Sequence, residues 1–134
     1  MHRLAAMAGV AALVAVLSGC GGAATGPISA DLKEFSITLG RATAAAGTVQ
    51  FNVKNAGAVV HEFVVLDTDT AAGALTVTGE TVSEDGLTVV DEIEDIAVGA
   101  SPTLTVTLTP GHYAIICNVE GHYAAGMHAD LTIQ

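Results

Sequence analysis

The stretch CNVEGHYAAGM, residues 117 to 127, places Cys117, His122 and Met127 at equal intervals of five, with Gly121 and Gly126 directly before the second and third. Each of the three side chains carries a donor atom that a soft metal accepts. No regular backbone brings them together: in a strand, positions five apart point to opposite faces, and on a helix they stand about 140° apart around the axis. Convergence on one point requires a loop that folds back on itself. Gly121 and Gly126 suit such a loop, because glycine alone takes positive φ without steric cost.

Three donors need at least one strong partner, and the remaining histidines are few. His2 lies in an N-terminal segment that reads as a cleaved leader. His112 stands at the start of the run that ends in Cys117, about 17 Å away if that run is a strand. His128 follows Met127 directly, so in a strand it faces away from whatever Met127 faces. His61 remains, inside the apolar run VVHEFVVL (59 to 66), on one face with Phe63 and Val65. A histidine in such a run is usually a hydrogen-bonded core residue. Beside the Cys–His–Met loop, the elimination of the others makes it the fourth donor. Two imidazoles, one thiolate and one thioether match copper, with three donors in a trigonal plane and a long axial contact to methionine. Zinc is the main competitor, although structural zinc sites rarely use methionine and catalytic ones keep an open position. An iron–sulfur cluster needs more thiolates than this chain has.

The elements that must position these donors are strands. EFSITL (34 to 39), TVQFNV (48 to 53), TLTVTLT (103 to 109) and MHADLTIQ (127 to 134) alternate apolar and polar residues, the pattern of half-buried antiparallel strands. In this reading Phe35, Ile37 and Leu39 share an inward face. VVHEFVVL and HYAIIC (112 to 117) are apolar throughout and read as inner strands. Turns follow at NAG (55 to 57), TPG (109 to 111) and EGH (120 to 122). Residues 67 to 98 are the least regular, with room for one helical turn in DTAAGAL (69 to 75). The expectation is an all-β domain, a Greek-key β-sandwich of seven or eight strands.

That domain is expected to span residues 31 to 134. Before it, MHR and the apolar run LAAMAGVAALVAVL (4 to 17) form a leader too short to span a bilayer comfortably. LSGC (17 to 20) resembles the lipobox of bacterial lipoproteins. It implies a signal peptide over residues 1 to 19, a lipid on Cys20, and a flexible tether over 20 to 30 with a reach of roughly 17 Å. Lipidation by two or three acyl chains would hold the protein at the outer face of the cell membrane, in a periplasm or at the cell surface. If Cys20 is acylated, Cys117 has no disulfide partner, and a bound metal would protect it as thiolate.

The charge balance excludes other classes. Four Lys and Arg oppose fourteen Asp and Glu, a formal net charge of −10. The acids crowd between Glu80 and Asp95. Nucleic-acid binding needs a basic footprint, so it is excluded. The acidic run reads first as a solvated surface, and it is compatible with steering a basic partner.

With these residues in view, the chain resembles the cupredoxins, the blue (type 1) copper proteins that include plastocyanin, azurin and sulfocyanin. PGHYAIICNVEGHYAAGMHADLTI, residues 110 to 133, resembles their C-terminal ligand hairpin, and NAGAVVHEFVV (55 to 65) resembles the strand that carries their first histidine. The resemblance extends loosely over the domain from about residue 31. It implies His61, Cys117, His122 and Met127 as the ligands of one copper cycling between Cu(I) and Cu(II), with both histidines bound through Nδ1. It also implies that His122 reaches the surface through an apolar patch, which Tyr123, Ala124, Ala125 and Gly126 would build. Many members carry Asn directly after the first histidine; this chain has Glu62.

Four protein donors leave no open position for a substrate, and the chain lacks the His-x-His pairs of multicopper oxidases. The reading is therefore a monomeric electron carrier, not an enzyme, that exchanges single electrons with redox partner proteins of the cytochrome or copper-oxidase type. The alternative is a carrier that buffers or delivers copper. A delivery protein favours open, Met-rich surfaces, and only one Met remains after processing.

Overall fold

The computed structural model describes residues 22–134; the expected signal peptide and Cys20 lie outside the described residues. The alternating runs form strands. In chain order these are β1 (Ile28–Lys33), β2 (Ser36–Leu39), β3 (Thr43–Ala44), β4 (Gly47–Asn55), β5 (His61–Asp67), β6 (Val77–Thr78), β7 (Thr81–Val82), β8 (Thr88–Ile96), β9 (Thr103–Leu108), β10 (Gly111–Ile116) and β11 (His128–Ile133), with one 3-10 turn at Ala72–Ala74. Eight of them have four residues or more, as expected. The other three, β3, β6 and β7, have two residues each, too short for alternation to reveal.

Two sheets face each other. One has the order β2-β1-β4-β9 and the other β3-β11-β10-β5-β8, while β6 and β7 form a separate hairpin. Most neighbours are antiparallel, but β1 pairs with β4 and β11 with β3 in parallel, which local alternation does not encode. Inward positions interdigitate in one core: Ile28, Ala30 and Leu32 with Val49, Phe51 and Val53 from the first sheet, against Phe63, Val65, Ile115 and Leu131 from the second. The Phe51 and Phe63 rings meet with centroids 5.2 Å apart. Each Val, Leu, Ile or Phe among them contributes roughly 1.5–3 kcal/mol on burial.

Two expectations need correction. Part of the stretch read as tether is strand: Ile28-Ser-Ala-Asp-Leu-Lys alternates buried and exposed along β1, and Ile28 and Ala30 are fully buried. Its small residues disguised the strand as tether. Phe35 does not share a face with Ile37. Lys33 pairs with Ser36, so Glu34 and Phe35 form the two-residue turn of a hairpin, and Phe35 is 48% exposed.

The continuous apolar runs of β5 and β10 have a physical cause beyond inner position. Their outer face is also covered. Val64, Leu66, Ala114 and Ile116 pack there against Ala72, Leu75 and Val82 from the irregular segment, forming a second, smaller core.

Candidate metal centre

His61 opens β5 and Cys117 follows β10, and these strands are hydrogen-bonded neighbours. The β10–β11 ladder ends at the pair Ile116 and His128, and beyond it the Cys117 amide donates to the Met127 carbonyl, 3.1 Å. The intervening residues close on themselves as consecutive turns. The His122 amide donates to Val119, Ala125 to Gly121 and Met127 to His122, at 3.0, 3.1 and 3.1 Å. Gly121 and Gly126 take φ of 78° and 116°, the conformation for which glycine suits this loop. The fold-back required by the spacing is what forms.

The result is convergence of three donor atoms. Nδ1 of His61 lies 3.2 Å from Nδ1 of His122, and Cys117 Sγ lies 3.8 Å from the first and 3.4 Å from the second. Bonds of about 2.3 Å to sulfur and 2.05 Å to nitrogen in a trigonal plane would set such atoms about 3.5–3.8 Å apart. The triangle therefore fits one metal ion, and His61, Cys117 and His122 form a group able to hold one. His61, Cys117 and Met127 are fully buried, whereas His122 reaches the surface. Met127 closes the loop through two backbone bonds, its amide donating to His122 O and its carbonyl accepting from the Cys117 amide.

The electrostatics suit a cation at the centre. Burial pushes the Cys117 thiol above its ordinary value, while the Glu62 amide, 3.3 Å from the sulfur, works in the opposite direction. A thiolate in this place needs a metal ion as counter-charge. Burial, followed by the neighbouring His61, lowers the pKa of His122, which keeps its imidazole neutral and able to ligate.

The two histidines set aside by spacing stay outside the triangle. His112 sits between Thr68 O and Asp130 Oδ1, the latter 2.8 Å from its Nε2. His128 faces away from Met127, as alternation requires, but into the protein surface rather than into open water. Its ring packs on Tyr123, centroids 5.3 Å apart, and against Gly73, where a Cβ would stand 2.8 Å from its Cε1.

Several supporting residues escaped the sequence reading. Tyr123 does not join an apolar surface patch beside His122. It turns inward to the second core, where its hydroxyl donates to Ala72 O at 2.7 Å and accepts from the Leu75 amide at 2.9 Å. The residue edge-on to His122 is Phe35, with ring centroids 5.3 Å apart, and the exposed Ala124 and Ala125 lie in the same loop as His122. Asn118 fastens the ligand loop to the small hairpin, accepting from the Val82 amide at 2.7 Å. Asn55, fully buried, donates to Val59 O and Ile96 O, both at 2.8 Å, and so fixes the approach to His61. Only Asn55 carried a sequence signal, as the first residue of the NAG turn.

The sulfocyanin (SoxE) domain profile matches residues 37–134. No sequence match was found among curated proteins. Among solved structures, the dithionite-reduced auracyanin of Roseiflexus castenholzii superposes with a TM-score of 0.61 at 23% identity, over 84% of this chain and 99% of that one. Auracyanin A, a "blue" copper protein from Chloroflexus aurantiacus, gives 0.55 at 24%, over 81% and 100%. Rusticyanin from Thiobacillus ferrooxidans gives 0.61 at 19%, over 81% and 76%. At these identities the structural likeness establishes the fold.

Proposed function

The chain belongs to the sulfocyanin (SoxE) domain family, and on that premise we propose that it is a membrane-anchored mononuclear type 1 copper protein carrying single electrons between redox partners in the cell envelope. The observation that carries this reading is the triangle of His61 Nδ1, His122 Nδ1 and Cys117 Sγ, with side-chain nitrogens and sulfur 3.2–3.8 Å apart. His61, His122 and Cys117 would hold the ion, with Met127 as the fourth donor. Copper bound there supplies one-electron chemistry between Cu(II) and Cu(I).

The chain's own residues do the rest. The sandwich core fixes His61 and Cys117 on adjacent strands, and the turns of the loop fix His122, so the donors have little freedom to rearrange when the charge changes. Four protein donors exclude a substrate from the ion, which supports a carrier rather than an enzyme. His122 is the donor that approaches the surface, beside the exposed ring of Phe35, and there the electron has its shortest path out.

The charge distribution supports a basic redox partner. Glu62 follows His61, and its carboxyl is held above the usual carboxylate range by partial burial and then by Glu94, Glu92, Asp95 and Glu84. The acids of the edge strand β8 therefore crowd against the residue whose amide touches Cys117 Sγ. A lipid on Cys20 would keep this monomeric carrier outside the cytoplasm at the membrane face.

The test is electron exchange between the reduced copper protein and an oxidised basic cytochrome, followed by stopped flow. The expected rate is fast and falls as salt shortens the screening length below about 10 Å. Slow exchange, with rapid passage of copper itself to an apo-acceptor, would favour a delivery role.

A further inference from the structure

The turn that joins β1 to β2 belongs to the sheet opposite His61, Cys117 and His122, yet it touches both histidines. Phe35 covers the edge of His122. Glu34 reaches His61: its Oε1 lies 3.1 Å from His61 Nε2. The same oxygen accepts the amides of Ala58 at 2.8 Å and Val59 at 3.0 Å, in the loop that leads into His61. Gly57 makes room for this arrangement. A Cβ there would overlap Glu34 Oε1 and stand 2.8 Å from His61 Nε2.

We propose that Glu34 is the positioning residue of the copper site, a carboxylate that orients His61 from outside and biases the bound metal toward its oxidised state. The proposal rests on the copper reading above. A carboxylate oxygen only accepts, so His61 Nε2 carries the hydrogen. The neutral ring then presents the lone pair of Nδ1 to Cys117 Sγ and His122 Nδ1. This is the carboxylate–histidine–metal arrangement, in which the outer carboxylate fixes the tautomer and raises the basicity of the ligand. A negative charge one imidazole away from the ion stabilises Cu(II) more than Cu(I), because the interaction scales with the charge of the ion. Glu34 thus lowers the reduction potential. A partner that merely braced the loop would support both oxidation states alike and leave the potential where it was.

Glu34→Gln separates these roles, since the amide oxygen still accepts from Ala58, Val59 and His61 while the charge is lost. In the full chain, Cu(II) affinity is expected to fall about tenfold and Cu(I) affinity less. A tenfold loss confined to Cu(II) raises the potential by about 59 mV. Glu34→Ala is expected to weaken Cu(II) further, toward about 100-fold. In the metal-free protein, nitrogen NMR of His61 should show the Nε2-protonated tautomer in the wild type and in Glu34→Gln, and a tautomer mixture in Glu34→Ala. The wild type is measured first: one that binds no copper through Cys117 defeats the functional reading itself. A copper-loaded wild type whose potential is unmoved by Glu34→Gln, or whose His61 tautomer is indifferent to Glu34→Ala, overturns this inference alone.

Discussion

Two groups of histidines share this small domain, and the same residue type does different work in each. At the metal centre, His61 gives Nε2 to Glu34 and turns Nδ1 toward His122 Nδ1 and Cys117 Sγ. On the outer face of the five-stranded sheet, His112 has an oxygen at each ring nitrogen, Thr68 O on one side and Asp130 on the other, and His128 lies on the Tyr123 ring. A histidine is available to a metal when one nitrogen is tied from outside and the other faces further lone pairs. His112 fails that condition, because both of its nitrogens already meet acceptors. The contrast also explains why two residues of one loop part company: His122 points to the triangle, and Tyr123 beside it plugs into the second core.

The contrast breaks most completely at Cys117. Cys117→Ser is expected to abolish the intense orange-red absorption of the copper-loaded protein, since that band arises from thiolate-to-copper charge transfer. His61→Ala should remove it too or make it depend on added imidazole. A serine variant that keeps the colour would place the metal elsewhere.

The anchoring role of Tyr123 predicts a stability effect without a spectral one. Tyr123→Phe leaves Ala72 O and the Leu75 amide unpartnered in a buried place, at a cost of about 1–3 kcal/mol for each group. Denaturant unfolding of the metal-free protein reads this loss, and the charge-transfer band should persist. Unchanged stability would show that the second core does not depend on the hydroxyl.

The outer pair sharpens the comparison through pH. The Thr68 carbonyl, then Asp130, raises His112 above its ordinary value of 6.5, and the Ala72 amide, then His112, lowers Asp130 below 3.8. A raised histidine contributes its full share of stability below its unfolded pKa and loses it as pH rises through the folded value. A lowered aspartate contributes above its unfolded pKa and loses its share as pH falls through the folded value. The pair therefore supports the fold most between about pH 4 and 6.5. His112→Ala should lower the melting temperature most in that window and less in alkali, by the equivalent of less than about 1 kcal/mol for a pair this exposed. A difference independent of pH would assign His112 a packing role alone. His128→Ala should have the smallest consequence for the metal, leaving the spectrum unchanged; a bleached spectrum would mean that β11 runs in the opposite register.

These contrasts were unevenly legible in the sequence. Cys117, His122 and Met127 announce themselves because few side chains carry soft donors, and His61 follows because strand length puts His112 at the far end of its run and alternation turns His128 away. Glu34 gave no such signal. It stands 27 residues from His61, in a run whose alternation suggested a continuous strand through Phe35. Only pairing between β1 and β2 reveals the turn. Tyr123 looked like part of a surface patch because its anchors, Ala72 and Leu75, lie in the segment with no period to read. The parallel pairing of β1 with β4 depends on contacts across the sheet, and local patterning carries no information about strand direction.

The most direct test of the central claim is a redox titration of the copper-loaded protein followed at the charge-transfer band. The account predicts one copper per chain, a strong orange-red band, and reversible bleaching along a single one-electron curve of about 59 mV per tenfold change in the oxidised-to-reduced ratio. Copper bound without that band, more than one copper per chain, or a band that does not bleach reversibly would contradict it.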